Sequence, residues 1–290
     1  MMTAFWMRFN AAMLVLVFFA LVAVIALLAG GAQGGPLDPD GPPGSTSGIN
    51  LPGTPISSAP YVITASGYYY LTDDLQVTGG GTGITIDGFV KNVTIDLNGF
   101  TIYGQGQSLS AGIRAVGPSP PAQYPIRIKN GTINNVSTGV HVAAAAHVRI
   151  DDVYVFNTGD GFVLGNHAVL SNCTAANSTG SGINIVGAFV VVRNCMVIDG
   201  ADGIRVQGSD NVIEDSQILR NGSRSIRVLY GSDDNIVRGN ALYSVELEQN
   251  SAYNTVHGNT LCIVPNSGLS NRIVNNVLRP STVCVGEYTP

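Results

Sequence analysis

The sequence predicts an all-β solenoid, and three regularities lead to this prediction. The first is a repeat in which a small residue precedes alternating apolar and polar positions. Six copies open at Gly139, Gly161, Gly182, Gly203, Ser225 and Ser244. Their starts lie 22, 21, 21, 22 and 19 residues apart. A period near 21 with strand-like alternation is typical of a solenoid in which each repeat forms one coil.

The second regularity is a corner inside each repeat. A second strand follows the opening strand and ends at a position that is Asn, Asp or Gly in every copy. These residues tolerate the left-handed backbone conformation, so a sharp turn is predicted there. The Asn and Asp copies of this corner are Asn130, Asp152, Asn172, Asn194, Asp215 and Asn275.

The third regularity is the position after the corner, which alternation places towards the core. In three late copies it is Asn240, Asn259 and Asn276, which would stack amide on amide and satisfy one another's polar groups. In two earlier copies it is Cys173 and Cys195, which we expect to be buried thiols. Three strands and one such corner per coil predict a single-stranded right-handed parallel β-helix of about nine coils.

The chain begins with a long apolar segment. Residues 11–29 are 19 consecutive apolar residues, nearly enough for a helix to cross a membrane. Residues 1–32 are therefore predicted to be a signal peptide or an N-terminal membrane anchor. Residues 33–60 are rich in Gly, Pro and Ser and predict a linker, and residues 61–290 predict the β-helix with its two caps.

Composition narrows the partners and the compartment. The formal net charge is −5 and no basic patch is present, which argues against a nucleic-acid partner. Contact with a membrane is predicted only through the N-terminal segment, and the protein is predicted to be secreted or extracytoplasmic. In such a compartment Cys262 and Cys284, which flank the last coil, are predicted to form a disulfide.

Several stretches resemble a known superfamily. They are Gly203-Ile-Arg-Val-Gln-Gly-Ser-Asp-Asn-Val-Ile, Asn235-Ile-Val-Arg-Gly-Asn and Asn254-Thr-Val-His-Gly-Asn, with Val93-Thr-Ile-Asp-Leu-Asn-Gly-Phe-Thr-Ile in an early coil. They resemble the repeats of right-handed β-helix proteins of the pectin-lyase-like superfamily, above all those with NosD-type repeats. The resemblance covers about residues 61–280 and implies the fold. That superfamily includes lyases, hydrolases, epimerases and members without catalysis, so it does not imply one function.

The resemblance also points to one surface. In the enzymes that this chain resembles, the site lies in a groove beside the first strand of each coil. The outward positions of that strand include His141, Arg205, Arg227 and Glu246, which are candidates for binding substrate. Arg205 and Arg227 are also catalytic candidates together with Asp202, because a lyase acting on a uronate needs a cation at the carboxylate and a base. A salt-bridged surface would place the same residue types there without any chemistry.

Metal sites have little support in the sequence. Asp210, Asp233 and Asp234 are candidates for a weakly bound Ca²⁺, and no other cofactor is predicted. His147 and His167 occupy equivalent positions in consecutive coils, where stacking is expected. Two imidazoles alone make an incomplete metal site, so they are interpreted as exposed turn residues.

These observations favour an exported β-helix protein that binds a polysaccharide or cell-envelope glycan, or that has a structural role at the cell surface. The flat faces of a β-helix repeat their polar ladders at every coil, which suits a repeating polymer. The alternative is a polysaccharide-active enzyme, either a lyase, an epimerase or a hydrolase, acting through Asp202, Arg205 and Arg227.

Overall fold

The computed structural model describes residues 53–106, 111–117, 125–262 and 266–278. Within these residues every regular element is a β-strand, and all strand pairings are parallel. The chain winds from coil to coil, and each strand pairs with the equivalent strand of the next coil. The right-handed parallel β-helix predicted from the repeats is confirmed. The segment from residue 11 to residue 29 lies outside the described residues, and no described helix is long and apolar enough to span a membrane.

The strands are short except at β9 and β11. The first fourteen are β1 (Thr54–Ile56), β2 (Tyr61–Ile63), β3 (Gly67–Leu71), β4 (Leu75–Val77), β5 (Thr82–Ile86), β6 (Val93–Asp96), β7 (Thr101–Gly104), β8 (Ala111–Ala115), β9 (Ile126–Asn134), β10 (Thr138–Val142), β11 (Val148–Thr158), β12 (Asp160–Leu164), β13 (Val169–Ser171) and β14 (Thr174–Ser178). The remainder are β15 (Ser181–Ile185), β16 (Val191–Arg193), β17 (Met196–Ile198), β18 (Asp202–Val206), β19 (Val212–Glu214), β20 (Gln217–Leu219), β21 (Ile226–Val228), β22 (Ile236–Arg238), β23 (Ala241–Leu242), β24 (Val245–Leu247), β25 (Thr255–His257), β26 (Thr260–Leu261), β27 (Arg272–Val274) and β28 (Val277–Leu278).

The strands form three faces around one core. Face 1 is a nine-stranded sheet of β2, β5, β8, β10, β12, β15, β18, β21 and β24. The other 19 strands form one sheet that bends at a corner, and β9 and β11 run through this bend. Face 2 contains β1, β3, β6, the first halves of β9 and β11, then β13, β16, β19, β22, β25 and β27. Face 3 contains β4, β7, the second halves of β9 and β11, then β14, β17, β20, β23, β26 and β28.

The β-helix begins earlier in the chain than the repeats predicted. β1 lies in the segment predicted to be a linker, yet Thr54 and Ile56 pair in register with Tyr69 and Leu71 of β3. Ile56 is fully buried and extends the core by one layer. A three-residue strand between Pro-rich stretches has little periodicity of its own, so its partner strand is what defines it.

Face 1 packs closely onto the core because of a column of glycines. Six of its repeats, from Gly83 to Gly203, place a glycine before a buried apolar residue, as with Gly182 before Ile183, and the next two place Ser225 and Ser244 there. A Cβ added at Gly182 would lie 2.3 Å from Val197 Cγ1, and one at Gly203 would lie 2.5 Å from Ile218 Cγ2. The small opening residue of each repeat is therefore a packing requirement between face 1 and face 3.

Three columns of left-handed residues make the corners between faces. The predicted corner joins face 2 to face 3, and its φ angles are 59° at Asn130, 55° at Asp152 and Asn172, 52° at Asn194, 50° at Asp215 and 54° at Asn275. The corner between faces 1 and 2 has φ angles of 57–59° at His147, His167, Phe189, Asp210, Asp234 and Tyr253. A third column between faces 3 and 1 includes Asn135, Asn157, Asn177, Asp199 and Arg220. Sequence analysis located only the first column. It missed the other two although they also contain Asn and Asp, and their Phe, Tyr and Arg members are not expected at positive φ.

The inner asparagines form continuous hydrogen-bonded ladders. The Asn259 side-chain carbonyl accepts hydrogen bonds from the Asn240 backbone (2.9 Å) and the Asn240 amide (3.1 Å). The Asn276 carbonyl does the same for Asn259, at 3.0 Å in each case. A second ladder that the sequence analysis missed lies at the other end of face 2 and consists of Asn211, Asn235, Asn254 and Asn271. The two ladders are separated by five residues in every coil, a spacing that is visible in the sequence.

The cysteines fall into two groups. Cys173 and Cys195 are free and buried on successive coils, and burial raises the pKa of the Cys195 thiol to about 11. Cys262 is disulfide-bonded, whereas Cys284 lies outside the described residues, so the pairing of these two residues stays a prediction.

Candidate functional site

The outward ladder of face 1 is the candidate site, and the strand register fixes its order. Its members follow one another coil by coil as Arg114, His141, Val163, Asn184, Arg205, Arg227 and Glu246. This is the order expected from the sequence, because a strand that buries one face must turn every second residue outwards. The charged members form two clusters, which Val163 and Asn184 separate.

The C-terminal cluster is mostly neutralised by its own ion pairs. Arg227 lies 2.7 Å from Glu248 and 3.4 Å from Glu246, and Arg224 lies 3.2 Å from Glu246. Glu248 also accepts a hydrogen bond from the backbone of Tyr230 at 3.2 Å. Arg227 and Glu246 were both predicted to bind substrate, but their charges are paired with other side chains of the protein. Arg224 and Glu248 were not predicted, although Glu248 is simply the next outward residue after Glu246.

Asp202 and Arg205 are the members of this cluster that keep unused polar atoms. Both side chains are half-buried on β18. The Oδ1 atom of Asp202 and the Nε atom of Arg205 are buried without a hydrogen-bond partner among the described residues. Beside them, the Gln207 amide donates to the Asn184 carbonyl at 2.7 Å. Buried polar atoms in native proteins are almost always paired, so this pair of atoms is suited to a ligand that supplies both a donor and an acceptor.

The N-terminal cluster centres on His141. Burial lowers the pKa of this imidazole, the charge of Arg114 on the preceding coil lowers it further, and Asp160 on the following coil offsets part of the shift. Its Nδ1 atom is buried without a hydrogen-bond partner in the described part of the chain. A neutral imidazole beside a guanidinium is able to accept a proton or to hydrogen-bond a ligand hydroxyl. Sequence analysis made His141 a candidate for the site but not Arg114 or Asp160, because their influence depends on contacts between coils.

Two of the three predicted calcium ligands lie in one corner column, and the calcium site stays a prediction. Asp210 and Asp234 lie at positive φ in the corner column between faces 1 and 2. Asp233 is committed to the backbone, since its carboxylate accepts a hydrogen bond from the amide of Ala252 at 2.7 Å. In the described residues, no three His, Cys, Asp or Glu side chains are grouped so that they could hold a metal ion.

Comparison with solved structures finds several similar proteins. The chain is similar to the enzymatically active domain of tailspike protein 2 of bacteriophage CBA120, with 13% identity and a TM-score of 0.52 over 72% of this chain. It spans only 38% of the length of that domain. The A-module of mannuronan C-5 epimerase AlgE6 from Azotobacter vinelandii matches with 14% identity and a TM-score of 0.44, over 73% of this chain and 83% of the module. An alginate lyase from a Paenibacillus species matches with 15% identity and a TM-score of 0.41, over 77% of this chain and 92% of the lyase.

Comparison by sequence is narrower. No curated protein matches the chain. The expected pectin-lyase-like fold is confirmed, whereas the assignment to NosD-type repeats stays a prediction. The family model described as "Right handed beta helix region" matches residues 111–261, which contain both clusters of the face 1 ladder, and the chain therefore belongs to the right-handed β-helix family.

Proposed function

We propose that the protein binds an acidic glycan along face 1. The observation that carries this proposal is the pair of unused buried atoms on β18, Asp202 Oδ1 and Arg205 Nε. A sugar hydroxyl donates to a carboxylate, and a sugar carboxylate accepts from a guanidinium, so an acidic sugar offers a suitable partner to each atom. Asn184 and Gln207, already joined at 2.7 Å, add neutral donors and acceptors on neighbouring coils.

The geometry of the ladder favours a polymer over a small ligand. Coils stack at about 4.8 Å, so equivalent side chains recur at a constant interval along one straight face. His141 and Arg205 lie three coils apart on the same ladder. A chain of sugars running along face 1 would contact both clusters, and each contact adds to the affinity of the next.

Export belongs to the same proposal. Residues 1–32 would direct the chain out of the cytoplasm, and residues 33–60 would connect this segment to the rod. If the apolar segment is retained, it anchors the rod to the membrane, and face 1 is then presented to envelope or environmental glycans.

Removal of Arg205 tests the proposal. In Arg205→Ala, affinity for an acidic polysaccharide should fall about tenfold, because a charge-assisted hydrogen bond is lost. Arg193→Ala is a matched control, since Arg193 is an exposed arginine on face 2. The loss should shrink as salt increases, because salt screens the contact of a half-exposed guanidinium. Unchanged affinity in Arg205→Ala, measured by calorimetry, would contradict binding at this cluster.

A polysaccharide-active enzyme is the second candidate, and one observation favours it. His141 combines a lowered pKa, an unused Nδ1 atom and a neighbouring arginine, the combination that proton abstraction beside a carboxylate requires. Acidic polysaccharides incubated with the protein should then acquire unsaturated or new reducing ends, or epimerised residues. His141→Gln should abolish that rate and leave binding largely intact. Under the binding proposal the wild-type protein shows no turnover above a heat-inactivated control.

A further inference from the structure

Two arginines lie side by side on face 2, away from the face 1 ladder. Arg127 of β9 and Arg149 of β11 pair in register, and both side chains are exposed. Like charges directly opposite one another on neighbouring strands are destabilising, so such a pair needs a compensating anion.

Elsewhere the rod supplies that anion from its own side chains. Lys129 lies 2.5 Å from Asp96, and Arg238 lies 2.5 Å from Glu214, on the second outward column of face 2. On face 1 the pair of Arg205 and Arg227 has Glu246 and Glu248 beside it. On both faces, acidic side chains therefore compensate cations at several places.

The pair on β9 and β11 is compensated only in part. Arg127 lies 3.3 Å from Asp151, whose carboxylate is shared with the hydroxyl of Ser171. Arg149 forms no ion pair with any residue that the structure describes. One positive charge at this place is therefore left for an external partner.

A cleft of about 440 Å³ lies next to the pair. Its lining includes Thr94, Pro125, Ile126 and His147 together with Arg127 and Arg149. A cleft of this size lies within the usual range of ligand sites, and it combines apolar surface with a few polar groups. Both guanidinium groups are therefore available to a group that enters it.

A stack of rings continues from the cleft along the corner between faces 1 and 2. The ring centroids of His147 and His167 are 4.7 Å apart, and those of His167 and Phe189 are 5.1 Å apart. All three residues have φ near +58°, and Phe189 is 54% exposed. Phe rarely adopts this backbone conformation, so Phe189 is an unusual residue for this corner. The stack places aromatic rings beside the cationic cleft, which His147 itself lines.

We propose that this cleft is a second binding site, which holds a sugar residue bearing a carboxylate or a sulfate. The two guanidinium groups bind the anion in forked hydrogen bonds, and the imidazole of His147 packs against the sugar ring. The site lies on a different face from the Asp202 and Arg205 cluster. Its ligand class rests on the proposed function, but its residues do not.

Calorimetric titration of the full-length chain with a uronic acid trisaccharide tests the site. A trisaccharide is used so that one molecule does not wrap around the rod to bridge two faces. The wild-type protein should bind about two molecules, and the carboxyl-reduced trisaccharide should not bind at the cleft. Arg149→Ala should weaken one of the two sites about tenfold to a hundredfold. Arg272→Ala is the control, because Arg272 is exposed in the same column of face 2 at the far end of the rod.

The variants separate this inference from the proposed function. If Arg149→Ala removes one site and Arg205→Ala removes none, the cleft stands and the face 1 proposal fails. If Arg205→Ala removes the sole site and Arg149→Ala changes nothing, the cleft proposal is overturned. Absence of binding to wild type rejects both.

Circular dichroism of each variant checks the fold. Phe189→Ala should weaken the binding of a hexasaccharide more than that of the trisaccharide, because the rings extend two coils beyond the cleft.

Discussion

The middle coils and the C-terminal coils place different residue types at the inward positions beside their corners. At the two ends of each face 2 strand, the middle coils place Val148 and Val153, Ala168 and Cys173, and Val190 and Cys195 inwards, and all six residues are buried. The next four coils place Asn211 and Ser216, Asn235 and Asn240, Asn254 and Asn259, and Asn271 and Asn276 at these positions.

The coils shorten only after the asparagines have begun, because the matching positions of the middle coils lie 20–22 residues apart. The asparagines of the ladder missed by the sequence analysis lie 24, then 19, then 17 residues apart. A shorter coil has fewer residues with which to bury apolar surface, so in the last coils hydrogen bonds contribute more of the cohesion between coils. The comparison teaches that a β-helix coil is stabilised either by packing or by amide ladders, and that each choice has its own weak point.

Breaking a ladder should have the largest effect. Asn259→Leu should lower the free energy of unfolding by about 3 kcal/mol, because it removes the acceptor of two Asn240 donors and the donor to the Val237 carbonyl in a buried place. Cys195→Ala, at the matching position of the middle coils, should cost about 1 kcal/mol, since it removes packing and only the weak hydrogen bond of a thiol. Urea denaturation measures both. Equal losses would mean that the ladder contributes no more than an apolar contact.

Forcing a β-branched residue into the corner should have an intermediate effect in both regions. Asn194 and Asp215 have φ angles of 52° and 50°, so replacement of either by Val should cost about 1–2 kcal/mol. Arg193→Val, one residue earlier and pointing to solvent, should cost less than about 0.5 kcal/mol. Thermal unfolding of the three variants checks the register, and a cost at Arg193 equal to that at Asn194 would show it to be shifted.

Low pH should destabilise the first coils of the rod more than the last coils, and this effect should be smaller than those of the substitutions above. Burial alone would raise the pKa of Asp96, but hydrogen bonds from Lys129, Tyr68 and the Asn98 backbone outweigh it and hold the pKa below its usual value. Charged Asp96 therefore stabilises the first coils above the unfolded-state pKa of about 4, and this contribution is lost as pH falls through the folded-state value. The amide ladders of the last coils do not titrate.

Hydrogen exchange at low pH checks this difference. Amides of β6 should lose protection below about pH 4 before those of β25, because coils of a solenoid unfold locally. His141, whose lowered pKa also favours folding at higher pH, contributes a loss that begins near pH 6.5. Asp96→Asn separates the two, since it should remove only the step below pH 4. Simultaneous loss at β6 and β25 would argue for a single cooperative unit.

Much of the candidate site was accessible from the sequence because it depends on alternation. His141, Arg205, Arg227 and Glu246 were placed outwards on one ladder, and the strand register has them there. The sequence could not predict which of these side chains remain available for a ligand. Arg227 and Glu246 form ion pairs with each other and with Glu248 and Arg224. These pairs depend on the conformations that the long side chains adopt between coils of different length.

The sequence by itself determined the period, the three strands, the first corner and the register, because each of these follows from local alternation repeated at a fixed interval. Only the tertiary structure decided the rest. The aromatic corner column breaks the usual preference for Asn at positive φ and is explained by stacking between His147, His167 and Phe189. The pairing of Arg127 with Arg149 beside a cleft joins residues 22 positions apart, and their repulsion arises only once the coils have stacked.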